Sequence, residues 1–150
     1  MTENEEKWHL RFLKLAEEVA DWSKDPSTKV GCILVKDRRI ISTGFNGFPR
    51  GISDDLETLL DCDKKYEITV HAEVNAVTAA ALHGVSTDGC TAYVTFTPCS
   101  RCASVLINAG IKEVYVINGR HIPQRWVDNF QLASKILYEA GVHLVALDPI

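Results

Sequence analysis

Long apolar runs are missing from this 150-residue sequence, and a basic segment is missing from its start. No apolar run approaches the roughly 18 residues that a membrane-spanning helix needs. The acidic and polar residues 2–6 follow Met1, whereas a secretion signal begins with a basic segment and continues with an apolar one. We therefore expect a cytoplasmic protein with no membrane partner.

Positive charge is also in short supply. The formal net charge of −4 at pH 7 provides no broad basic surface for a polynucleotide, although a local pocket can still hold one phosphate. Hydrophobic residues make up 46% and charged residues 24% of the chain, and there is no internal repeat or low-complexity segment. This composition is typical of a globular protein, and the length predicts one domain over residues 1–150.

The cysteines are few and odd in number, at positions 32, 62, 90, 99 and 102. In a chain without a secretion signal, this pattern argues against a disulfide framework and favours free thiols or metal-bound thiolates. Cys32 lies in an apolar run and Cys90 precedes another, so we expect both in the core. Cys62 lies in an acidic stretch with no paired cysteine or histidine nearby.

The first half of the chain predicts a helix followed by a β-hairpin. Thr2 and Glu5 form a capping box before an apolar stripe with helical spacing, and Pro26 is expected to end this helix. Residues 30–35 and 40–45 are rich in β-branched side chains and are separated by four polar residues, which predicts an antiparallel pair. The acidic residues 53–67 predict an exposed loop with one helical turn.

The second half alternates between helical and extended patterns. We predict helices at about 70–82 and 99–109, a last helix around residues 126–140, and strands at 91–96, 113–117 and 143–147. This alternation is typical of parallel strands joined by crossover helices. Together with the hairpin, it predicts an α/β fold with a mixed five-stranded sheet between helices.

The strongest functional pattern is His71-Ala72-Glu73 followed, 25 residues after the glutamate, by a Pro-Cys-x-x-Cys segment at residues 98–102. Thr97 is expected to cap a helix whose first residue is Pro98, so that Cys99 and Cys102 lie one turn apart at the positive end of the helix dipole. This position favours thiolates. His71 begins the preceding helix, and the intervening strand is expected to bring the two helix starts together.

One imidazole and two thiolates make three metal ligands. Structural zinc sites are normally closed by four protein ligands, whereas three leave a position for water, as in catalytic zinc sites. Glu73 is then placed to carry protons between water and a substrate. The alternatives to a catalytic zinc site are a structural zinc knuckle, a pair of buried thiols, or a catalytically silent, zinc-bound nucleotide sensor.

His-x-Glu followed by Pro-Cys-x-x-Cys is also a pattern typical of zinc nucleobase deaminases. Over nearly its whole length the chain resembles the cytidine and deoxycytidylate deaminase superfamily, and within it the deoxycytidylate (dCMP) deaminases. The segments that carry this resemblance are residues 23–31, 44–51, 71–76, 98–103 and 109–114. The resemblance implies a cytidine-deaminase-like three-layer α/β/α sandwich.

The resemblance also implies roles for individual residues. His71, Cys99 and Cys102 would hold one Zn²⁺, and Glu73 would shuttle protons. The main-chain N–H of Ala72 would meet the pyrimidine O2. The main-chain carbonyl of Thr97 would accept a hydrogen bond from the amino group of the substrate.

The remaining substrate contacts concern the sugar and phosphate of the nucleotide. Asn46 would contact the nucleotide from the loop after the second strand, although an Asn-Gly turn can also serve only to accommodate a left-handed backbone. The 5′-phosphate would be bound by Lys29, Ser27 and Arg50. Alternatively, these are ordinary surface residues or belong to an effector or subunit contact. Arg120, His121 and Arg125 follow a strand end where a phosphate could also lie.

The implied activity is the hydrolysis of dCMP to dUMP and ammonia, which feeds thymidylate synthesis. The alternative substrates are another free cytosine nucleoside or nucleotide, such as cytidine or 5-substituted dCMP. The resemblance also implies a homo-oligomer, either a dimer or a hexamer. Many members of the family are regulated by dCTP and dTTP, with Mg²⁺ accompanying the triphosphate. The chain departs from regulated relatives at residues 79–82, which offer no charged or aromatic side chain to an effector.

Overall fold

The chain forms a mixed β-sheet with helices on both faces, and the computed structural model describes residues 1–149. Ile150, the last residue of the predicted domain, therefore lies outside the described residues. The strands are β1 (Gly31–Lys36), β2 (Arg39–Phe45), β3 (Thr91–Val94), β4 (Glu113–Ile117) and β5 (His143–Leu147). The helices are α1 (Glu3–Ala20), α2 (Leu56–Leu60), α3 (Cys62–Ile68), α4 (Ala72–Leu82), α5 (Ser100–Asn108) and α6 (Val127–Glu139), and a 3₁₀ turn at Gln124–Trp126 precedes α6.

The strands lie in the order β2-β1-β3-β4-β5. β1 and β2 form the predicted antiparallel hairpin, joined by Asp37 and Arg38, whose φ angles are 52° and 60°. Two consecutive positive φ values are those of a type I′ turn, which matches the right-handed twist of the strands it joins. β1 also pairs antiparallel with β3.

The other half of the sheet is parallel, as the alternation of patterns predicted. β3 pairs with β4, and β4 pairs with β5, with Thr91, Glu113 and His143 aligned at the strand starts. The connections that contain α5 and α6 cross over the sheet between these strands. In such sheets, sites form beyond the carboxyl ends of the parallel strands.

Two apolar layers confirm the three-layer arrangement. On one face α1 contributes Phe12 and Ala16, which pack against Ile33 of β1. On the other face α4, α5 and α6 pack together with Leu34, the next residue of β1. Neighbouring strand residues point to opposite faces, so one strand supplies both cores. Cys32 and Cys90 are fully buried, as predicted.

Two glycines allow these helices to approach the sheet closely. A Cβ added to Gly31 would lie 2.1 Å from the main-chain oxygen of Ala16 in α1. A Cβ added to Gly44 would lie 2.3 Å from the main-chain oxygen of Ala72 and 2.4 Å from the main-chain nitrogen of Ala76, both in α4. Gly44 therefore fixes how close the start of α4 lies to β2.

Two predictions about the first half of the chain were wrong. α1 ends at Ala20, well before Pro26, and the chain then turns so that the buried hydroxyl of Ser23 donates to the carbonyl of Asn46 at 2.7 Å. The acidic stretch is not a loop with one turn, because it forms α2 and α3. Its aspartates act as N-caps: Asp55 accepts from the N–H of Thr58, and Asp61 accepts from the N–H of Lys64.

No helix within residues 1–149 has the length and hydropathy to cross a bilayer.

Candidate active site and metal centre

The starts of two neighbouring helices bring the predicted metal ligands together. His71 is the N-cap residue of α4, and α4 packs beside α5. Cys99 is the N-cap residue of α5, and Cys102 lies in the first turn of α5. The prediction that Thr97 caps this helix and Pro98 begins it was wrong by two residues, because the chain becomes helical only at Ser100. The two cysteines still lie at the positive end of the helix dipole.

The donor atoms of these three residues fit a single ion. The Nδ1 atom of His71 lies 3.3 Å from Sγ of Cys102 and 3.5 Å from Sγ of Cys99, and all three donor atoms lie within 4.8 Å of one another. Ligands at zinc–nitrogen and zinc–sulphur distances of about 2.0 and 2.3 Å are separated by roughly 3.5–4 Å in a tetrahedron. Within residues 1–149, this is the one cluster of three or more candidate ligands.

The surroundings of Cys99 favour the thiolate that a metal requires. Hydrogen bonds from the Cys102 thiol and from His71 lower the pKa of the Cys99 thiol to about 4, against the opposing effect of burial. The hydrogen bond to Cys99 in turn raises the pKa of His71. Because the thiolate is the ligand form of cysteine, the site is prepared for a cation.

Glu73 lies in the first turn of α4 and is only 4% exposed. Burial is the largest effect on its carboxyl and raises its pKa, whereas a hydrogen bond with Cys102 and the charge of His71 oppose that shift. A buried acid with a raised pKa, next to a candidate metal site, is typical of a proton-transfer group.

A cavity of about 350 Å³ opens beside these residues. His71, Glu73 and Cys99 line it together with the main chain around Ala72 and Thr97. Aromatic side chains form part of its wall: the rings of Phe96 and Phe130 lie 5.6 Å apart, and Trp126 stacks on Phe130 with centroids 5.9 Å apart. The site can therefore hold a flat, polar ring beside a metal and a buried acid.

The proposed nucleotide contacts divide into those that reach this cavity and those that do not. Asn46 and Ser27 line the cavity. The amide of Asn46 is 7% exposed; its oxygen accepts from the N–H of Val30, and its nitrogen donates to the carbonyl of Thr28, both at 2.8 Å. Asn46 thus holds the preceding loop in place, whatever it contributes to binding.

Lys29 and Arg50 are not brought to the cavity. Lys29 lies in a separate surface depression with Glu17 and Arg120, and Arg50 lies in another depression beside Trp22. Both residues are exposed. His121 and Arg125 do line the cavity, whereas Arg120 pairs with Glu17 at 2.6 Å.

The sequence reasoning missed several lining residues, namely Lys65, Tyr66, Phe96, Trp126 and Phe130. Trp126 and Phe130 have helical spacing, and the sequence predicted only a helix there. Their position just after a strand end was the available signal for a role in the site. Lys65 lay within the supposed acidic loop, and no local pattern marked it as buried.

Comparisons with known proteins agree with this arrangement. Residues 6–118 match the family model described as "Cytidine and deoxycytidylate deaminase zinc-binding region". The chain is 41% identical over 142 residues to the "Uncharacterized deaminase in luxG 3'region" of Aliivibrio fischeri, covering 94% of each chain. It is 39% identical to the deoxycytidylate deaminase of Homo sapiens over 125 residues, which cover 77% of this chain and 67% of the human one.

A solved structure gives the same result for the fold. The dCMP deaminase of the cyanophage S-TIM5, in complex with dCMP and dUMP, superposes with a TM-score of 0.77 at 29% identity, covering 98% of this chain and 99% of the phage chain. The predicted α/β sandwich is confirmed. The matched segment and the relatives leave one conclusion: the chain belongs to the cytidine and deoxycytidylate deaminase family.

Proposed function

We propose that this chain is a zinc-dependent hydrolase that converts dCMP to dUMP and ammonia, and so supplies dUMP for thymidylate synthesis. The observation that carries the proposal is the buried carboxyl of Glu73, which lines one cavity with His71 and Cys99, two members of the ligand cluster that Cys102 completes. A purely structural zinc site needs no such acid. The choice of substrate is supported by the human relative named deoxycytidylate deaminase and by the phage enzyme that was solved with dCMP and dUMP.

Glu73 is the proposed proton carrier. When bound to His71, Cys99 and Cys102, a zinc ion supplies a Lewis acid that activates water for attack. Glu73 takes one proton from the water that adds to C4 of the cytosine ring and delivers it to N3; it then takes the second proton from the new hydroxyl at C4 and delivers it to the departing amino group. A C–O bond forms, the C–N bond breaks, and dCMP plus water becomes dUMP plus ammonia. The raised pKa of Glu73 suits a group that must both accept and donate protons.

Main-chain groups are proposed to orient the pyrimidine. Ala72 is the first residue of α4, so its N–H has no partner within the helix and is available to the pyrimidine O2. The carbonyl of Thr97, in the segment before α5, is available to the exocyclic amino group. The rings of Phe96 and Phe130 would pack against the base.

The phosphate is proposed to lie near Ser27. Ser27 lines the cavity, as does Asn46, which we propose for the sugar end of the nucleotide. Arg125 also lines the cavity and supplies positive charge toward the dianion. We assign no phosphate contact to Lys29 or Arg50, because neither reaches the cavity within this chain.

Exposed apolar side chains support the predicted homo-oligomer. Leu56, Leu60 and Leu82 are each more than 60% exposed. Contiguous apolar patches on a surface mark places where proteins associate, and Leu56 and Leu60 lie one turn apart on α2. Light scattering of the purified protein is expected to give a mass above the 16.7 kDa of one chain, and a mass equal to one chain would contradict this expectation.

A substrate panel tests the proposed reaction. Zinc-loaded protein is assayed for ammonia release from dCMP, deoxycytidine, cytidine, dCTP and 5-substituted dCMP, and kcat/KM is compared. We expect the highest value for dCMP. Equal values for cytidine and dCMP would refute the argument for a phosphate pocket. No turnover of any of these compounds would favour the alternative, a zinc-bound nucleotide sensor.

A further inference from the structure

Lys65 is the most deeply buried charged residue of the described chain, at 2% exposure, and it lines the same cavity as Glu73. Its ammonium donates to Oδ1 of Asp25 at 3.3 Å and to Oγ of Ser27 at 3.2 Å. A lysine is rarely buried so completely unless its charge is paired, and here Asp25 provides the partner. The proposed reaction gives Lys65 no role.

Asp25 organises the loop that carries Ser27. Its Oδ1 atom also accepts from the main-chain N–H groups of Ser27 at 2.8 Å and Thr28 at 3.1 Å. The carbonyl of Thr28 in turn accepts from the amide of Asn46. Lys65 therefore anchors, from α3, a loop that forms one wall of the cavity.

The direction of the hydrogen bond between Lys65 and Ser27 has a chemical consequence. An ammonium group can only donate, so the Ser27 oxygen must accept, and the hydroxyl hydrogen of Ser27 has to point elsewhere. Lys65 donates to Oγ of Ser27, and Asp25 accepts from the main-chain N–H of Ser27. Ser27 lines the cavity, so its O–H is free to donate to a bound group.

We propose that Lys65 is a positioning residue for substrate specificity: it holds Ser27 as a hydrogen-bond donor to the 5′-phosphate and cancels the charge of Asp25 beside that phosphate. This inference rests on the proposed function. Without Lys65, Ser27 loses its fixed orientation, and the carboxylate of Asp25 repels the phosphate dianion. Both effects weaken binding of the nucleotide and leave the chemistry at Glu73 unchanged.

Steady-state kinetics of Lys65→Met with dCMP and with deoxycytidine test this inference. A lost hydrogen bond to a charged group corresponds to roughly a tenfold to hundredfold change in affinity, so the KM for dCMP should rise by that factor. The kcat for dCMP, the zinc content and the KM for deoxycytidine should stay close to those of the parent protein. Lys64→Met is the matched control, because Lys64 is the exposed neighbour of Lys65 and pairs only loosely with Asp61, at 3.9 Å.

Ser27→Ala removes an exposed hydroxyl and keeps the test decisive if Lys65→Met does not fold. It should also raise the KM for dCMP, and its effect should be smaller in the Lys65→Met background than in the parent protein, since both changes remove one interaction. Equal KM increases for dCMP and deoxycytidine, or an unchanged KM for dCMP in Ser27→Ala, would overturn the inference. Absence of dCMP turnover in the parent protein would instead refute the proposed function on which it rests.

Discussion

Replacing Gly44 with alanine is expected to displace the helix that carries Glu73. The new Cβ would lie 2.3 Å from the main-chain oxygen of Ala72 and 2.4 Å from the main-chain nitrogen of Ala76, whereas ordinary contacts begin near 3.4 Å. Both opposing atoms belong to the backbone of α4, so no side-chain rotation relieves the overlap. The start of α4 must therefore move away from β2 by about 1 Å.

The size of this displacement sets the expected losses of stability and of catalytic activity. Overpacking of this kind typically costs about 1–3 kcal/mol of unfolding free energy. A shift of about 1 Å in catalytic geometry can cost about 10²-fold in rate, so kcat/KM for dCMP should fall by about that factor. His71 and Glu73 move with the start of α4, and zinc affinity should fall as well.

Gly31→Ala separates the loss of stability from the loss of geometry. Its Cβ would lie 2.1 Å from the main-chain oxygen of Ala16 in α1, on the opposite face of the sheet. Its unfolding free energy should fall by a similar amount, while kcat/KM stays near the parent value at a temperature where both variants are folded. A third variant, Gly47→Ala, adds a Cβ that meets nothing within 4 Å and should change neither quantity. Parent-like turnover in Gly44→Ala, or an equal loss of turnover in Gly31→Ala, would refute the reasoning.

Three further predictions concern the acid, the metal ligands and the opposite face of the sheet. Glu73→Gln should lower kcat for dCMP by about 10²–10⁴-fold at unchanged zinc content, and a smaller loss in a stopped assay would exclude proton transfer by Glu73. Cys102→Ser should lose zinc, measured by elemental analysis, together with turnover, and retention of both would rule out Cys102 as a ligand. Burial lowers the pKa of His9 in the folded protein. As the pH falls below about 6.5, the unfolded chain therefore binds more protons at His9 than the folded protein does. The free energy of unfolding should fall over this range. Urea titrations should show a weaker pH dependence in His9→Gln, and an equal dependence in both proteins would contradict this assignment.

The clustering of the proposed metal ligands could be predicted from the sequence because their geometry is local. Cys99 and Cys102 lie within the first turn of α5, and His71 and Glu73 lie at the start of α4, so short spacings fix most of the arrangement. The predicted strands of the parallel half, at 113–117 and 143–147, agree with the structure for the same reason: each is a short apolar run between clear breaks. The sequence did not reveal the N-cap of α5, where Thr97 looked suitable and Cys99 occupies the position.

The cavity beside Glu73 could be predicted less completely than the cluster of metal ligands, because its residues meet only through the tertiary fold. The buried charge of Lys65 is paired with Asp25, which lies 40 residues earlier, and nothing near Lys65 in the sequence indicates such a partner. Lys65 lies in α3, which is short, as is α2 before it; their N-caps, Asp61 and Asp55, resemble a solvated acidic loop in the sequence. Lys29 follows Ser27 closely, yet only Ser27 also lines the cavity that contains Glu73.

We propose that deamination of dCMP by this chain requires one zinc ion held by His71, Cys99 and Cys102 beside Glu73. The most direct measurement is ammonia release from dCMP by one protein sample before chelation, after chelation and after addition of Zn²⁺, with zinc counted per chain at each stage. We expect turnover to disappear with the metal and to return as one zinc per chain is restored. Turnover that survives complete removal of zinc, or a zinc-replete protein that releases no ammonia from dCMP, would contradict it.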